Sequence, residues 1–416
     1  MLPSIDESQL IYILISPTTN ELSEASPTRS RLPVNLGLVI DQSSSMRGER
    51  LSQVKEAAHL IVDQMQEGDY LSVVTFHDRA TVVIPAQRIH ETDHSQLKWL
   101  INDIEATGGT EMARGVEVSL KELAHPSFQG LKHMLLLTDG RTYGDDDRCV
   151  QLARLAQERS VGITALGIGD EWNEDLLEEM TAQENSYTHY VTAASEIPTM
   201  FTEEIHRIHA TFARGVQLLI EGRCDCTVRS FDRVQPYITP ITLRGERNIR
   251  WLVNLGNWSA DEKQAFLMEV VVPPLSVGDH HLLQLTLRYD ITGAKKSKEE
   301  YFESRLDISV RPEQFVDSLI DEKVKQWVAR LVAYRLQLQA WQNIKDGDSD
   351  QAAKQLQMAG TRLLHVGEVD LARMMQQEAS QVARSGNVSA LGRKYIKFGT
   401  RGLVRSSSSD MLTIKP

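Results

Sequence analysis

The chain has 416 residues, 41% hydrophobic and 25% charged, a globular balance that excludes wholesale disorder. Lys and Arg number 45 against 57 Asp and Glu, a net charge of −12, so a phosphate backbone is not the expected partner. Three cysteines (Cys149, Cys224 and Cys226) are too few for a disulfide framework, and no apolar run reaches the roughly 18 residues of a membrane span. The N-terminus carries acids and no basic segment before its apolar run, so it does not read as a signal peptide. A reducing cytoplasm is the expected setting.

Leu10–Ile15 reads as a strand, and Ser16–Arg31 as a Pro-, Ser- and Thr-rich connector. Val34–Ile40 is almost wholly apolar, as in a strand buried on both faces. Within Arg50–Gln66, Leu51, Val54, Ala57, Ala58, Ile61, Val62 and Met65 recur at helical spacing. Further strands are expected at Tyr70–Phe76, Ala80–Pro85, His133–Thr138, Gly162–Ile168 and Ser186–Val191. Helices are expected at His94–Glu105, Glu111–Leu123, Asp146–Arg159, Glu174–Thr181 and Ala194–Phe212. This alternation predicts βαβ units and a mostly parallel, doubly wound α/β block over residues 33–214.

From Val216 the period changes to two. Val216–Glu221, Cys226–Phe231, Ile249–Leu255, Gln264–Val272, His281–Tyr289 and Phe302–Val310 read as the strands of a β-sandwich. Val277-Gly278-Asp279 and Thr292-Gly293 read as turns between them. Leu10–Ile15 would find its partners here if the α/β block were inserted into the sandwich, which would then comprise residues 1–32 and 215–311. Beyond Pro312, the positions Phe315, Leu319, Val324, Trp327, Val328, Leu331 and Leu338 fit one long helix. Gln351–Val366 and Val369–Ala383 give two more, so residues 312–391 form a helical region. Residues 392–416 read as a basic, glycine-broken segment, Gly392–Arg405, and a serine-rich tail beginning at Ser406–Ser409.

The residues that carry chemistry follow the first and fourth strands of the α/β block. Ligands bind at such carboxyl ends, where the winding of a doubly wound sheet reverses. One loop is Asp41-Gln42-Ser43-Ser44-Ser45-Met46, a second Thr107-Gly108-Gly109-Thr110-Glu111, a third Leu137-Thr138-Asp139-Gly140. Two carboxylates and three hydroxyls would meet there, a donor set of oxygens that suits a hard divalent cation. Ser43, Ser45 and Thr110 can offer neutral oxygens, while Asp41 and Asp139 hold coordinated waters and orient the hydroxyls. A metal with no directly bound carboxylate keeps most of its charge, and its open position attracts an external one. Taken alone, DxSxS could equally be a helix N-cap.

Asp41, Ser43, Ser45, Thr110 and Asp139 together resemble the metal-ion-dependent adhesion site of the von Willebrand factor A domain, in the family's order and spacing. The resemblance spans about residues 33–214 and departs at Ser44, where the family most often has Gly. It implies Mg²⁺ (or Mn²⁺) on a Rossmann-like sheet, and a partner protein whose Asp or Glu completes the coordination. The flanks are similar to bacterial members of the family and to inter-alpha-trypsin inhibitor heavy chains, several of which insert the A domain into a β-sandwich.

Arg47, Arg114 and Arg141 lie close in sequence to these residues and could steer an acidic ligand, with Glu49 and Glu111 partly offsetting them. Asp145–Asp147 reads as a solvated helix N-terminus, with an auxiliary Ca²⁺ site as the sharper alternative. Cys224-Asp225-Cys226 lacks the second pair a structural zinc needs, and His206 with His209 reads as packing or surface. Arg393, Lys394, Lys397, Arg401 and Arg405, with Tyr395 and Phe398 between them, could bind nucleic acid, but docking on the acidic body of the same chain fits the net charge better. The expected function is a metal-dependent protein-interaction module and not an enzyme. One alternative is an accessory subunit of an AAA+ ATPase or of a kinase–phosphatase set. The other is a metal-dependent hydrolase, which no nearby general base supports.

Overall fold

A computed structural model describes residues 2–18, 31–89, 94–125, 128, 130–182, 185–223, 225–246, 249–291, 298–312, 321–402 and 404–405. Most of the connector (residues 19–30), Cys224, the Thr292-Gly293 turn, Phe315, Leu319 and the serine run 406–409 lie outside the described residues. The chain divides into two compact units, residues 1–29 with 212–402 and residues 30–211 with 403–416.

Two strands, β1 (Leu2–Pro3) and β2 (Gln9–Ile15), precede the second unit. That unit runs β3 (Val34–Asp41), α1 (Glu49–Gln64), β4 (Tyr70–Phe76), β5 (Ala80–Arg88), α2 (His94–Asn102), α3 (Met112–Glu122), β6 (Leu131–Thr138), α4 (Asp146–Glu158), β7 (Val161–Ile168), α5 (Glu174–Met180), β8 (Tyr187–Val191) and α6 (Ile197–His209). Strand β3 is buried throughout, and α1 buries the stripe from Leu51 to Val62 that its spacing predicts. The sheet order is β8-β7-β6-β3-β4-β5, parallel except for β5, which returns antiparallel as a hairpin on β4. Val404–Arg405 adds a short parallel strand beside β8. The fold is the Rossmann-like α/β arrangement the alternation implied. Its winding reverses at β3, which has β4 on one side and β6 on the other.

Two buried polar clusters hold the other end of this unit. Asp69, without solvent exposure, accepts from Arg31, from the backbone N–H of Val34 and Gln66, and faces His209 at 3.3 Å. These contacts hold its carboxyl below the usual range against the cost of burial, which acts the other way. Glu204 on α6 pairs with Arg207 and lies 3.3 Å from His133 on β6. The expected helix Ala194–Phe212 is shorter than predicted: it starts with a single 3₁₀ turn and ends at His209, because the chain is already extended by Thr211.

The first unit continues with β9 (Thr211–Gly222), β10 (Thr227–Gln235), β11 (Thr239–Pro240), β12 (Arg244–Glu246), β13 (Arg250–Ser259), β14 (Ala265–Val272), β15 (Gly278–Ile291) and β16 (Lys298–Arg311). Four helices follow, α7 (Glu322–Lys345), α8 (Ser349–His365), α9 (Val369–Ser385) and α10 (Ala390–Gly399). One sheet has the order β1-β16-β15-β9-β13-β12 and the other β11-β10-β14-β2. Both contribute to one apolar core. The early strand β2 pairs antiparallel with β14 along its whole length. Its period of two serves both faces: Ile11, Ile13 and Ile15 point to the core between the sheets, Tyr12 and Leu14 to a second core under α7. On that second face Arg335 of α7 reaches Asp232 and Glu269, both nearly inaccessible to solvent.

Residues 390–399 correct the reading of a glycine-broken basic segment. They form helix α10, started by the Ser389 hydroxyl accepting from the Gly392 N–H at 2.9 Å. The glycines give room for packing rather than breaks: a Cβ on Gly392 would stand 2.1 Å from Glu378, and one on Gly399 would stand 2.9 Å from Leu371. Lys394 and Lys397 are buried and Ile396 joins the helical core, so these positions present no basic surface for nucleic acid.

Candidate functional site

The site stands where β3 and β6 end side by side. Asp41 is the last residue of β3, and Asp139 follows Thr138 at the end of β6; both aspartates are fully buried. Asp41 Oδ1 accepts from the Ser43 N–H at 2.8 Å, and its Oδ2 accepts from the Thr138 hydroxyl at 2.7 Å. Asp139 Oδ1 accepts from the Ser45 hydroxyl at 2.7 Å, and its Oδ2 accepts from the Arg50 guanidinium. The hydroxyls of Ser43 and Ser45 are 3.0 Å apart. Ser43 is buried, while Ser44 and Ser45 face solvent.

Backbone hydrogen bonds bring Thr110 to the same place. The turn before it is held by Thr107 N–H to Gln42 O at 2.7 Å and Ser44 N–H to Gly108 O at 3.1 Å. On its other side, Tyr143 N–H donates to the Thr110 carbonyl at 3.1 Å, and Thr142 Oγ1 lies 3.2 Å from the same carbonyl. Gly108 has φ +75°, and a Cβ there would stand 2.7 Å from His77 Nδ1, so both conformation and space require glycine. Ser44, where a glycine was the family's usual choice, donates its hydroxyl to Gly108 O at 3.0 Å and ties the two loops together.

Gly140 completes the crevice by what it lacks. A Cβ on it would lie 3.5 Å from Thr110 Oγ1 and 3.9 Å from Ser45 Oγ, so its bareness leaves a space bordered by hydroxyls of two loops and backbone of the third. Hydrogen bonds join Asp41, Ser43, Ser45 and Asp139, Thr110 Oγ1 borders the same space, and every donor around it is oxygen. That set fits a hard divalent cation.

Burial pushes the Asp41 carboxyl up to about 6, against the pull of its bonds to Ser43 and Thr138. A cation arriving beside it would favour the charged form. Asp139 already has a positive neighbour in Arg50, which the sequence reading did not single out. Arg50 lies in the first turn of α1, five residues beyond Ser45, and that placement was the available signal. Thr138 was likewise passed over, although it directly precedes Asp139 in sequence.

The arginines named from sequence have local roles. Arg47 is exposed, 3.5 Å from the Ala106 carbonyl; Arg114 pairs with Glu111; Arg141 is exposed. Tyr143, unnoticed in the sequence, is 75% exposed beside Gly109. Asp145 is not simply solvated: it accepts from Ala113 N–H at 2.7 Å and from the Thr142 hydroxyl, and so caps α3 from a different loop. Among the described residues no three His, Cys, Asp or Glu side chains gather as a metal site, which leaves the auxiliary Ca²⁺ reading and the His206–His209 pair without support. Cys149 and Cys226 are buried. Among the described residues no helix is long and apolar enough to cross a membrane.

Residues 35–203 match the family described as von Willebrand factor type A domain, and residues 322–406 match the Sll0103-like, C-terminal alpha-helical domain. An uncharacterized protein of Synechocystis, sll0103, is 28% identical over 383 residues, covering 91% of this chain and 90% of that protein. Inter-alpha-trypsin inhibitor heavy chain H1 of Bos taurus is 29% identical over 207 residues, 45% of this chain and 22% of the heavy chain. Among solved structures, a von Willebrand factor type A protein from Catenulispora acidiphila superposes with a TM-score of 0.76 at 17% identity, covering 97% of this chain and 95% of that one. Residues 35–203 therefore carry a von Willebrand factor type A domain, and residues 322–406 a C-terminal helical domain of the Sll0103-like kind.

Proposed function

We propose that the crevice between Asp41, Ser43, Ser45, Thr110 and Asp139 holds Mg²⁺ (or Mn²⁺), and that the metal's open position takes an Asp or Glu carboxylate of a partner protein. The observation that carries this reading is the all-oxygen cluster itself. Two buried carboxylates lie beside the buried Ser43 and Thr110 and the exposed Ser45, around a space that Gly140 keeps open. Ser43, Ser45 and Thr110 would offer neutral oxygens, and Asp41 and Asp139 would orient them. The metal would supply the charge that attracts the partner's carboxylate. Arg47 and Arg141, exposed on the flanking loops, would steer that acidic ligand towards it. Binding rather than catalysis is proposed because both carboxylates are engaged within the protein, Asp41 by Ser43 and Thr138 and Asp139 by Ser45 and Arg50. A cytoplasmic setting belongs to the same proposal.

The test is isothermal titration of the protein with Mg²⁺ and with Mn²⁺, alone and with a short Asp-containing peptide, for wild type and Asp41→Ala. One equivalent bound by the wild type and none by the variant is expected. Thr110→Ala should weaken peptide binding more than metal binding. A wild type that binds neither ion, with peptide or without, refutes the reading.

A further inference from the structure

The edge of the larger sheet in the first unit is open. Strand β16 pairs with β15 on one side from Lys298 to Val310. On its other side β1 covers only Val310 and Arg311. Among the described residues, Tyr301–Ile308 pairs with no strand but β15, so a run of backbone N–H and C=O groups faces outward. Such an edge is a template for another strand, and proteins blunt it with charges or by covering it. The residues along this one are unusually accessible: Tyr301 is 71% and Phe302 59% exposed, and Glu303, Ser304 and Arg305 are exposed as well.

The order of side chains says which strand fits. Opposed antiparallel to a second copy of itself about Ser304, β16 sets Glu303 against Arg305 of the other copy, twice by symmetry. On the face that carries Leu306 and Ile308 towards the core, the same register sets Phe302 against Leu306. Moving the register by two residues places Glu303 on Glu303, or Arg305 on Arg305; larger shifts shorten the contact. A two-fold axis requires such self-complementarity. Arg305 already bonds Asp307 at 2.7 Å in its own chain, but both are exposed, and such pairs yield readily to a better arrangement.

We propose that the chain forms a two-fold dimer by antiparallel pairing of β16 with β16, centred on Ser304, so that two sheets become one. Facing Cα atoms in antiparallel pairs lie about 4.5–5.5 Å apart, within disulfide range. Ser304→Cys should therefore cross-link to a covalent dimer on mild oxidation. Tyr301→Cys, which would face residue 307 and so lie six strand positions from its own copy, should not. Wild type treated in parallel controls for the native cysteines. In sedimentation velocity the wild type should show a concentration-dependent dimer. Glu303→Arg and Arg305→Glu should each shift its dissociation constant at least tenfold towards monomer, and the double exchange should restore it. A wild type that stays monomeric at the highest concentration overturns the proposal and leaves the edge to other partners. So does a dimer that ignores both charge reversals and fails to cross-link at residue 304.

Discussion

Replacing Asp41 by Asn is expected to abolish metal binding without lowering the stability of the metal-free protein. The reasoning rests on opposed contributions at one carboxylate. Its two hydrogen bonds, from Ser43 N–H and the Thr138 hydroxyl, favour it. Burial disfavours its charge more strongly, and its pKa rises from the ordinary 3.8 to about 6. At ~1.4 kcal/mol per pKa unit, the ionised group costs the fold roughly 3 kcal/mol at neutral pH. With a folded value above the unfolded one, the group's contribution is fully present below about pH 4 and is lost as pH rises through 6. An asparagine keeps the Ser43 bond and carries no charge. Its amide N–H would meet the Thr138 hydroxyl, which can turn its own proton to the Gly140 carbonyl, 3.3 Å away. Metal-free Asp41→Asn should therefore melt at the same temperature as wild type or a few degrees higher above pH 7, and the difference should vanish near pH 4. Differential scanning fluorimetry in EDTA and in excess Mg²⁺ measures both effects. A metal-free variant melting several degrees below wild type, or one still raised by Mg²⁺, refutes the argument.

Arg50→Met leaves buried Asp139 without one of its partners and should cost about 1–3 kcal/mol without metal, while enlarging the stabilisation by Mg²⁺, both read from melting curves. Glu204, buried on α6, is held well below the usual carboxylate range by Arg207 and His133 against the cost of its burial. Its stabilisation is present above about pH 4.5 and lost as pH falls through its folded value, so Glu204→Gln should lower neutral stability and flatten acid unfolding followed by circular dichroism. A Cβ at Gly167 would meet the Trp172 ring at 2.2 Å, so Gly167→Ala should destabilise by about 1–3 kcal/mol in urea unfolding while sparing Mg²⁺ binding. Arg335→Met leaves Asp232 and Glu269 buried without their cation and should cost about 3–5 kcal/mol, partly recovered at acid pH as Asp232 protonates.

Short-range pattern made much of this protein legible in its sequence. An almost wholly apolar run such as Val34–Ile40 suits a strand covered on both faces, and the stripe from Leu51 to Val62 suits burial as a helix. Parallel strands joined by helices then force crossover connections, so the carboxyl ends of β3 and β6 become neighbours, and Asp41 and Asp139 with them. The oxygen cluster was readable because each of its loops follows directly from an element the pattern identifies.

What pattern does not encode is the identity of neighbours distant along the chain. That Arg50 answers Asp139, that Asp145 caps α3, and that Arg335 answers Asp232 and Glu269 follow from tertiary placement of long side chains. Glycine read as a breaker at residues 392 and 399 because propensity is local, whereas close packing against Glu378 and Leu371 is not. The partners of β2 lay more than two hundred residues away, and only the folded sheet could assign them to β14. Sequence by itself determined the elements, the parallel block and the oxygen donors, since each depends on residues near in the chain. The tertiary structure decided which charges are paired and buried, which glycines are spacers, and which sheet edge is left open, since each depends on what else occupies the same space.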